Sequence, residues 1–250
     1  MDFAKFVSLL DTRSLYFTNL ERLSDFDPFE GLYTRRNLEA ENFFKQLDYE
    51  AIPEEQRKPG TAFADRATFK MFQENSPFSN LRTIGKAQRR ITYVNCWHES
   101  AHESAAMWKL YLKSDEGIAI QSTVDRLKRS ISEGKEFEIF IGEVVYVDFN
   151  SFAMPVDNVL TPYIHKRQSF EHEHELRALI WGPAHGKMNL NDPEGAPLGL
   201  SIATDLDILV ENIYASPMAE EWFVKLLSSV CSHYKLKREV VQSDLSTKLY

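Results

Sequence analysis

Residues 90–123, "RITYVNCWHESAHESAAMWKLYLKSDEGIAIQST", hold the stretch that sets the fold class. Their first eight residues are rich in β-branched and aromatic side chains and predict a strand. "AAMWKLY" (105–111) predicts a helix, and "GIAIQST" (117–123) predicts a glycine turn leading into a second strand. The same stretch contains His98-Glu99-Ser100-Ala101-His102, which matches the HExxH pattern of zinc peptidases. That chemistry needs both imidazoles one turn apart on a single helix face, with the glutamate beside the metal. Here the β pattern runs up to His98, and Ser100-Ala101-His102-Glu103 has the form of a capping box, with Ser100 as the expected N-cap. On that reading His98 precedes the helix and shares no face with His102. The extended form HExxHxxGxxH also fails, because Ala105 and Trp108 stand where glycine and histidine are required. No metal is expected at this pattern.

Outward from this stretch, residues 3–10 place Phe3, Phe6, Val7, Leu9 and Leu10 at helical spacing. "SLYFTNL" (14–20) predicts a strand, followed by the turn-rich "SDFDPFEG" (24–31). Residues 37–88 are polar and helical in pattern, broken at Pro59-Gly60 and continuing after Pro77. On the other side, 122–134 predicts a helix capped by Ser122 or Thr123 and closed by Gly134. Residues 136–149 predict one long strand or a hairpin pair, and 175–181, 198–204 and 212–217 predict further strands. Residues 218–234 form an amphipathic helix with Trp222, Leu226, Val230 and Tyr234 on one stripe. Helices and strands mix without regular alternation. The expectation is α+β: a single domain over 1–250, with a mixed or antiparallel sheet, flanking helices and a helical insertion at about 37–88.

The chain has 250 residues, 43% of them apolar and 26% charged, as in an ordinary globular protein. A net charge of −8 argues against nonspecific nucleic-acid or anionic-membrane binding, although "GKAQRR" (85–90) is a local basic run. Two distant cysteines, Cys96 and Cys231, form no disulfide framework and suit a reducing compartment. The N-terminus is too short and too acidic for a signal peptide, and no apolar run approaches the roughly 20 residues of a membrane span. The expectation is a soluble, cytoplasmic protein.

Three segments carry candidate chemistry. Met107, Trp108 and Tyr111 are expected on the buried face of their helix, Met107 in the core, with Trp108 and Tyr111 offering polar handles to a pocket. In "KRQSFEHEHELRALI" (166–180), strand alternation from 173 onward puts Glu173, Glu175 and Arg177 on one face, and His172 and His174 on the other. Two carboxylates and a guanidinium suit acid/base work, a metal site or a substrate clamp, or else a solvated face with an ion pair. In the acidic turn, Asp25 or Asp27 suits a turn-capping role. No nucleophile elbow and no glycine-rich phosphate loop is present.

"SLYFTNLERLSDFDPFEG", "VNCWHESAHESAAMWKLY" with "EGIAIQST", "GEVVYVD" and "KRQSFEHEHELRALI", in this order, resemble a family of uncharacterised bacterial proteins, the domain of unknown function numbered 2971. "IYASPMAEEW" and "VVQSDL" extend the likeness toward the C-terminus. The order of elements is in turn similar to ADP-ribosyltransferase-like folds, whose late strand carries an E-x-E motif matched here by Glu173-His174-Glu175. The resemblance implies an enzyme that takes NAD or a related nucleotide as substrate, and transfers ADP-ribose to an unknown acceptor or cleaves the glycosidic bond. Glu175 would then hold the ribose 2′-hydroxyl and stabilise an oxocarbenium-like transition state. Glu173 would assist and Arg177 would orient. Trp108 and Tyr111 would form the aromatic floor, with Ser104 and Arg13 as the looser members. Asp27 and Glu30 complete the candidate substrate contacts. The alternatives are a metal-dependent hydrolase or nuclease, with Asp25, Asp27, Glu30, Glu173 and Glu175 around Mg²⁺, and a non-enzymatic acidic module that binds a basic partner.

Overall fold

The structure is a computed structural model that describes residues 1–76, 80–112, 114–131, 137–182 and 195–246. In chain order its regular elements begin with α1 (Phe3–Thr12), β1 (Ser14–Asn19), α2 (Leu20–Leu23), α3 (Arg35–Gln46), α4 (Arg66–Asn75) and α5 (Leu81–Arg90). Next come β2 (Thr92–His98), α6 (Ala105–Tyr111), β3 (Ile118–Gln121), α7 (Val124–Ser130), β4 (Phe140–Glu143) and β5 (Val145–Val147). The chain continues with β6 (His165–Arg167), β7 (Glu175–Trp181), β8 (Gly199–Ala203), α8 (Leu206–Leu209), β9 (Asn212–Ala215), α9 (Glu221–His233) and β10 (Val240–Gln242). The fold is α+β, with antiparallel pairs and two parallel ones, and helices that do not alternate regularly with the strands. Pro77, Gly134 and Glu136 lie outside the described residues. Among the described residues no helix is long and apolar enough to cross a membrane.

The chain forms two compact units, each assembled from separated segments. The first comprises Met1–Thr18, Asn95–Ile139 and Gly199–Tyr250. In it α1 starts where the Asp2 carboxylate accepts from Lys5 N, buries Phe6, Leu9 and Leu10, and ends at Arg13 in the left-handed region. Strand β1 pairs antiparallel with β8, from Ser14↔Ala203 to Thr18↔Gly199. Glycine suits position 199, since a Cβ there would meet the backbone oxygen of Phe17 at 2.8 Å. Strand β9 lies between β3, which is antiparallel to it, and β10, which is parallel.

Three expectations change in this unit. The cap of α6 is Ser104, whose hydroxyl accepts from Met107 N at 3.3 Å. Ser100 instead makes a local turn, with its hydroxyl donating to His102 O and accepting from His102 N. His98 therefore ends β2 and His102 precedes α6, so the two histidines belong to different elements. Glu103 does not close a capping box; its carboxylate accepts from Trp108 Nε1, Ser243 Oγ and Asp244 N. Helix α6 buries none of its residues, and Tyr111 is exposed. On α9 the buried face is Phe223, Leu227 and Cys231, while Trp222 and Leu226 are exposed. Both stripes satisfy helical spacing one residue apart, so periodicity alone does not select between them.

The second unit comprises Asn19–Val94 and Phe140–Leu198. Its strands run in the order β4-β7-β2, with β4 antiparallel to β7 from Phe140↔Leu179 to Glu143↔Leu176. Residues 140–147 are neither one strand nor a hairpin. At Val144 the backbone N–H goes to Glu175 O, whereas Val145 N goes to Ile164 O, so β5 leaves β7 and pairs in parallel with β6. The core gathers Leu20, Val94, Tyr163 and Leu179, with Leu23, Phe140, Leu160 and Trp181 packed against it. Each such apolar side chain removed from water stabilises by about 1.5–3 kcal/mol. Helices α3, α4 and α5 occupy the polar stretch expected to be helical. Buried Asn37 anchors α3 by donating to Met154 O and accepting from Met154 N, both at 2.9 Å.

Candidate functional site

The site is built on the acidic turn of the second unit. Asp27 Oδ1 accepts from Phe29 N at 3.1 Å, an Asx turn of the kind aspartate favours before proline. Gly31 has φ +66, and a Cβ on it would press on Leu20 at 3.2 Å and on Arg89 and Tyr163 at 3.4 Å, so glycine fits both the backbone angle and the space. Arg89, itself buried, donates Nε to Glu30 O and Nη2 to Pro28 O. Burial holds its pKa below the ordinary arginine value. Turn geometry and this clamp fix the directions of Asp27, Phe29 and Glu30: the first two go to Arg167 and Glu30 goes to Arg177.

Glu30 enters a buried ionic network. Arg177, fully buried on β7, grips Glu175 with Nε to Oε1 at 2.8 Å and Nη2 to Oε2 at 3.0 Å. Its Nη1 donates to Glu30 Oε1 and to Tyr163 O, both at 2.7 Å. Lys166, on β6, reaches Glu175 Oε2 at 3.2 Å and Glu30 Oε2 at 3.8 Å, and donates to Glu173 Oε2. Burial alone would lower the Lys166 pKa, but Glu175, Glu30 and Glu173 together raise it well above the ordinary lysine value. Tyr146 caps the start of β7 by accepting from Glu175 N at 2.8 Å, and burial raises its phenol pKa. Three carboxylates thus surround two cations, in surroundings where any one of these charges left alone would be costly.

The structure brings Glu30, Glu173, Glu175 and Arg177 together as one group; Glu175 and Arg177 meet by strand alternation, whereas Glu173 and Glu30 arrive by other routes. Strand β7 begins at Glu175, and every residue from there to Ile180 is buried. Glu173 closes a 3₁₀ helix over Gln168–Glu173, and His174, at φ 39, turns the chain into the strand. Glu173 therefore joins through Lys166 rather than through a shared strand face. Arg89 and Tyr146 were not legible as site residues, because they come from segments far away in sequence. Nor was Lys166, although it opens the 166–180 segment, because only the turn at His174 folds it back onto Glu173 and Glu175. The position expected for Mg²⁺ among these carboxylates is occupied by the Lys166 ammonium, and Asp25 is exposed outside the network. Among the described residues no group of three or more His, Cys, Asp or Glu side chains could hold a metal ion. Four other candidates belong to the first unit: Ser104 caps α6, Trp108 donates to Glu103, Tyr111 is exposed, and Arg13 pairs with Asp207 at 3.2 Å.

Asp27 and Phe29 lead to a second feature, a pocket of about 490 Å³. Its wall carries Arg35, Arg82, Lys86 and Arg167, and no carboxylate among the described residues. Arg82 and Lys86 are one turn apart on α5 and so share a face. Arg35 opens α3, where its N–H donates to Phe149 O at 2.9 Å, and its guanidinium pairs with Glu39 at 2.9 Å. Arg167 lies next to Lys166 on β6, and strand alternation sends one cation to the ionic network and the other to the pocket. Asp27 Oδ1 holds Arg167 Nη2 at 2.7 Å, with the guanidinium over the Phe29 ring at 4.8 Å. Phe29 and Phe149 meet edge to face at 5.9 Å. Tyr33 adds a hydroxyl whose pKa is raised by burial.

No family model, no curated protein and no solved structure matches the chain.

Proposed function

We propose that this protein binds a phosphate-bearing small molecule in the cationic pocket, with NAD or a related nucleotide as the expected class. One observation carries the reading: a protein of net charge −8 gathers Arg35, Arg82, Lys86 and Arg167 around a single pocket, with Arg35 and Arg167 paired to the carboxylates of Glu39 and Asp27. Such a cluster opposes the field of the whole molecule and focuses anions into the cleft. Guanidinium forks match phosphate oxygens in pairs, and the lysine adds a point charge. The cavity volume lies within the ordinary range for small-molecule sites. The buried network behind the acidic turn serves as the brace that holds Asp27 and Phe29 in place.

Saturating pyrophosphate, ADP-ribose or NAD⁺ should raise the melting temperature, since a ligand at about 100 times its Kd stabilises by about 2.7 kcal/mol. The rise should vanish in an Arg82→Ala/Lys86→Ala double variant that keeps the wild-type circular dichroism. An unshifted wild type with all three ligands would overturn the proposal.

Glycosidic chemistry at Glu175 is the second reading, carried by the likeness of Glu173-His174-Glu175 to an E-x-E motif; in the structure both Glu175 oxygens are engaged by Arg177 and Lys166, so a substrate would have to displace one of them. It predicts NAD⁺ loss with wild type and none with a folded Glu175→Gln variant. Equal activity of the two would remove Glu175 from the chemistry.

A further inference from the structure

We infer that the ligand of the cationic pocket presents two negative charges to Arg82 and Lys86, as a terminal phosphate or a pyrophosphate bridge does and a single phosphodiester does not. This deepens the phosphate reading of the pocket and rests on it. The four cations of the wall are not equivalent. Arg35 Nε lies 2.9 Å from Glu39 Oε1 and Arg167 Nη2 lies 2.7 Å from Asp27 Oδ1, so these two charges have carboxylates of the protein beside them. Arg82 and Lys86 line the same pocket, are exposed, and have no carboxylate partner among the described residues. A ligand therefore reaches both without displacing a protein group.

Both stand on α5, whose ten residues hold four cations and no acid. They lie at i and i+4, where like charges destabilise a helix. Other helices of the chain place opposite charges at this spacing, as in Arg35–Glu39, Asp125–Arg129 and Glu221–Lys225. Two further like pairs are relieved: Arg66 and Lys70 meet Glu50 and Glu74, and Arg90, one turn beyond Lys86, meets Glu21. Among the described helical residues, Arg82 and Lys86 are the like-charged neighbours of which neither is balanced. One negative charge between them would leave one positive charge unmatched, whereas a dianion balances both. A terminal phosphate carries about −1.5 to −2 at neutral pH and offers three oxygens, two for the guanidinium fork and one for the ammonium. A pyrophosphate bridge offers one charged phosphate to each cation.

Calorimetric titration of the full chain at about pH 7.5 with AMP and with its 5′-phosphate methyl ester, which keeps base and sugar but has one negative charge fewer, tests this. Wild type should bind AMP roughly tenfold more tightly than the ester. In Arg82→Gln and in Lys86→Gln, each left with one free cation, the preference should fall to within about twofold. Without ligand, each single variant should melt about 1 °C above wild type at low salt, because the repulsion along α5 is gone, and the difference should fade at about 1 M salt. No rise in either variant would mean that these cations are balanced within the protein, and would overturn the inference. Equal affinity of wild type for AMP and the ester would also overturn it and leave the phosphate reading intact. Absence of binding by AMP, the ester and ADP-ribose would overturn both. ADP-ribose separates the two sources of the dianion: tighter binding than AMP assigns a pyrophosphate bridge, and equal or weaker binding assigns a terminal phosphate.

Discussion

Arg177 holds Glu175 at both carboxylate oxygens, at 2.8 and 3.0 Å, from two positions further along the same strand. Residues two apart on a strand share a face, and here that face is closed to water, so the pair depends on its partners for solvation. Arg177 also supplies the charge opposite Glu30.

Removing that guanidinium should therefore be severe. Arg177→Met leaves Glu30 and Glu175 buried with Lys166 as their remaining neighbouring cation, and breaking such a pair costs about 3–5 kcal/mol. Urea unfolding should show a loss in that range. A loss below about 1 kcal/mol would mean that the network is solvated and carries little strain.

Lys166 gives the network a pH signature. Its folded pKa is raised, so its stabilisation is complete below the unfolded value of about 10.5 and disappears as pH rises through the higher folded value. The stability gap between wild type and Lys166→Met should be constant from pH 7 to about pH 10 and shrink only at more alkaline pH. A gap that closes near neutrality would contradict the arrangement around Lys166.

The cap of α6 distinguishes two serines four residues apart. Ser104→Ala should destabilise by about 1 kcal/mol through loss of its bond to Met107 N. Ser100→Ala, in an exposed turn, should stay within about 0.5 kcal/mol. The opposite ranking would restore Ser100 as the cap.

Much of the strand pattern was legible. "ELRALIW" was expected over 175–181 and is β7, a run of seven residues that ends in four consecutive apolar ones and is too short for a typical helix. The E-x-E segment was recognised, but its geometry was not. Alternation assumes a strand on both sides of His174, and the left-handed backbone there breaks it. "GKAQRR" seemed a single solvated basic run. Its cations divide between a pocket wall (Lys86), a buried clamp (Arg89) and an ion pair with Glu21 at 3.8 Å (Arg90). Lys86, Arg89 and Arg90, at i, i+3 and i+4, are neighbours on the helix surface, so helical spacing does not separate them and only the tertiary partners give them different roles. The pocket was invisible for the same reason, since its cations come from α3, α5 and β6.

The two cysteines should differ sharply in reactivity. Cys96 is exposed, whereas burial pushes the Cys231 thiol up to about 11. At pH 8 a thiol-specific reagent should titrate one cysteine in the native protein and two after denaturation. Fast modification of both in the native state would show that α9 does not cover Cys231.

The central claim is that the cationic pocket takes a phosphate-bearing ligand, and calorimetric titration of ADP-ribose into wild type and into Arg82→Glu/Lys86→Glu at two salt concentrations tests it most directly. The account predicts saturable one-to-one binding by wild type that weakens as salt rises, and none by the charge-reversed variant. Equal binding by the two proteins, or binding by wild type that salt does not touch, would place the ligand elsewhere and contradict it.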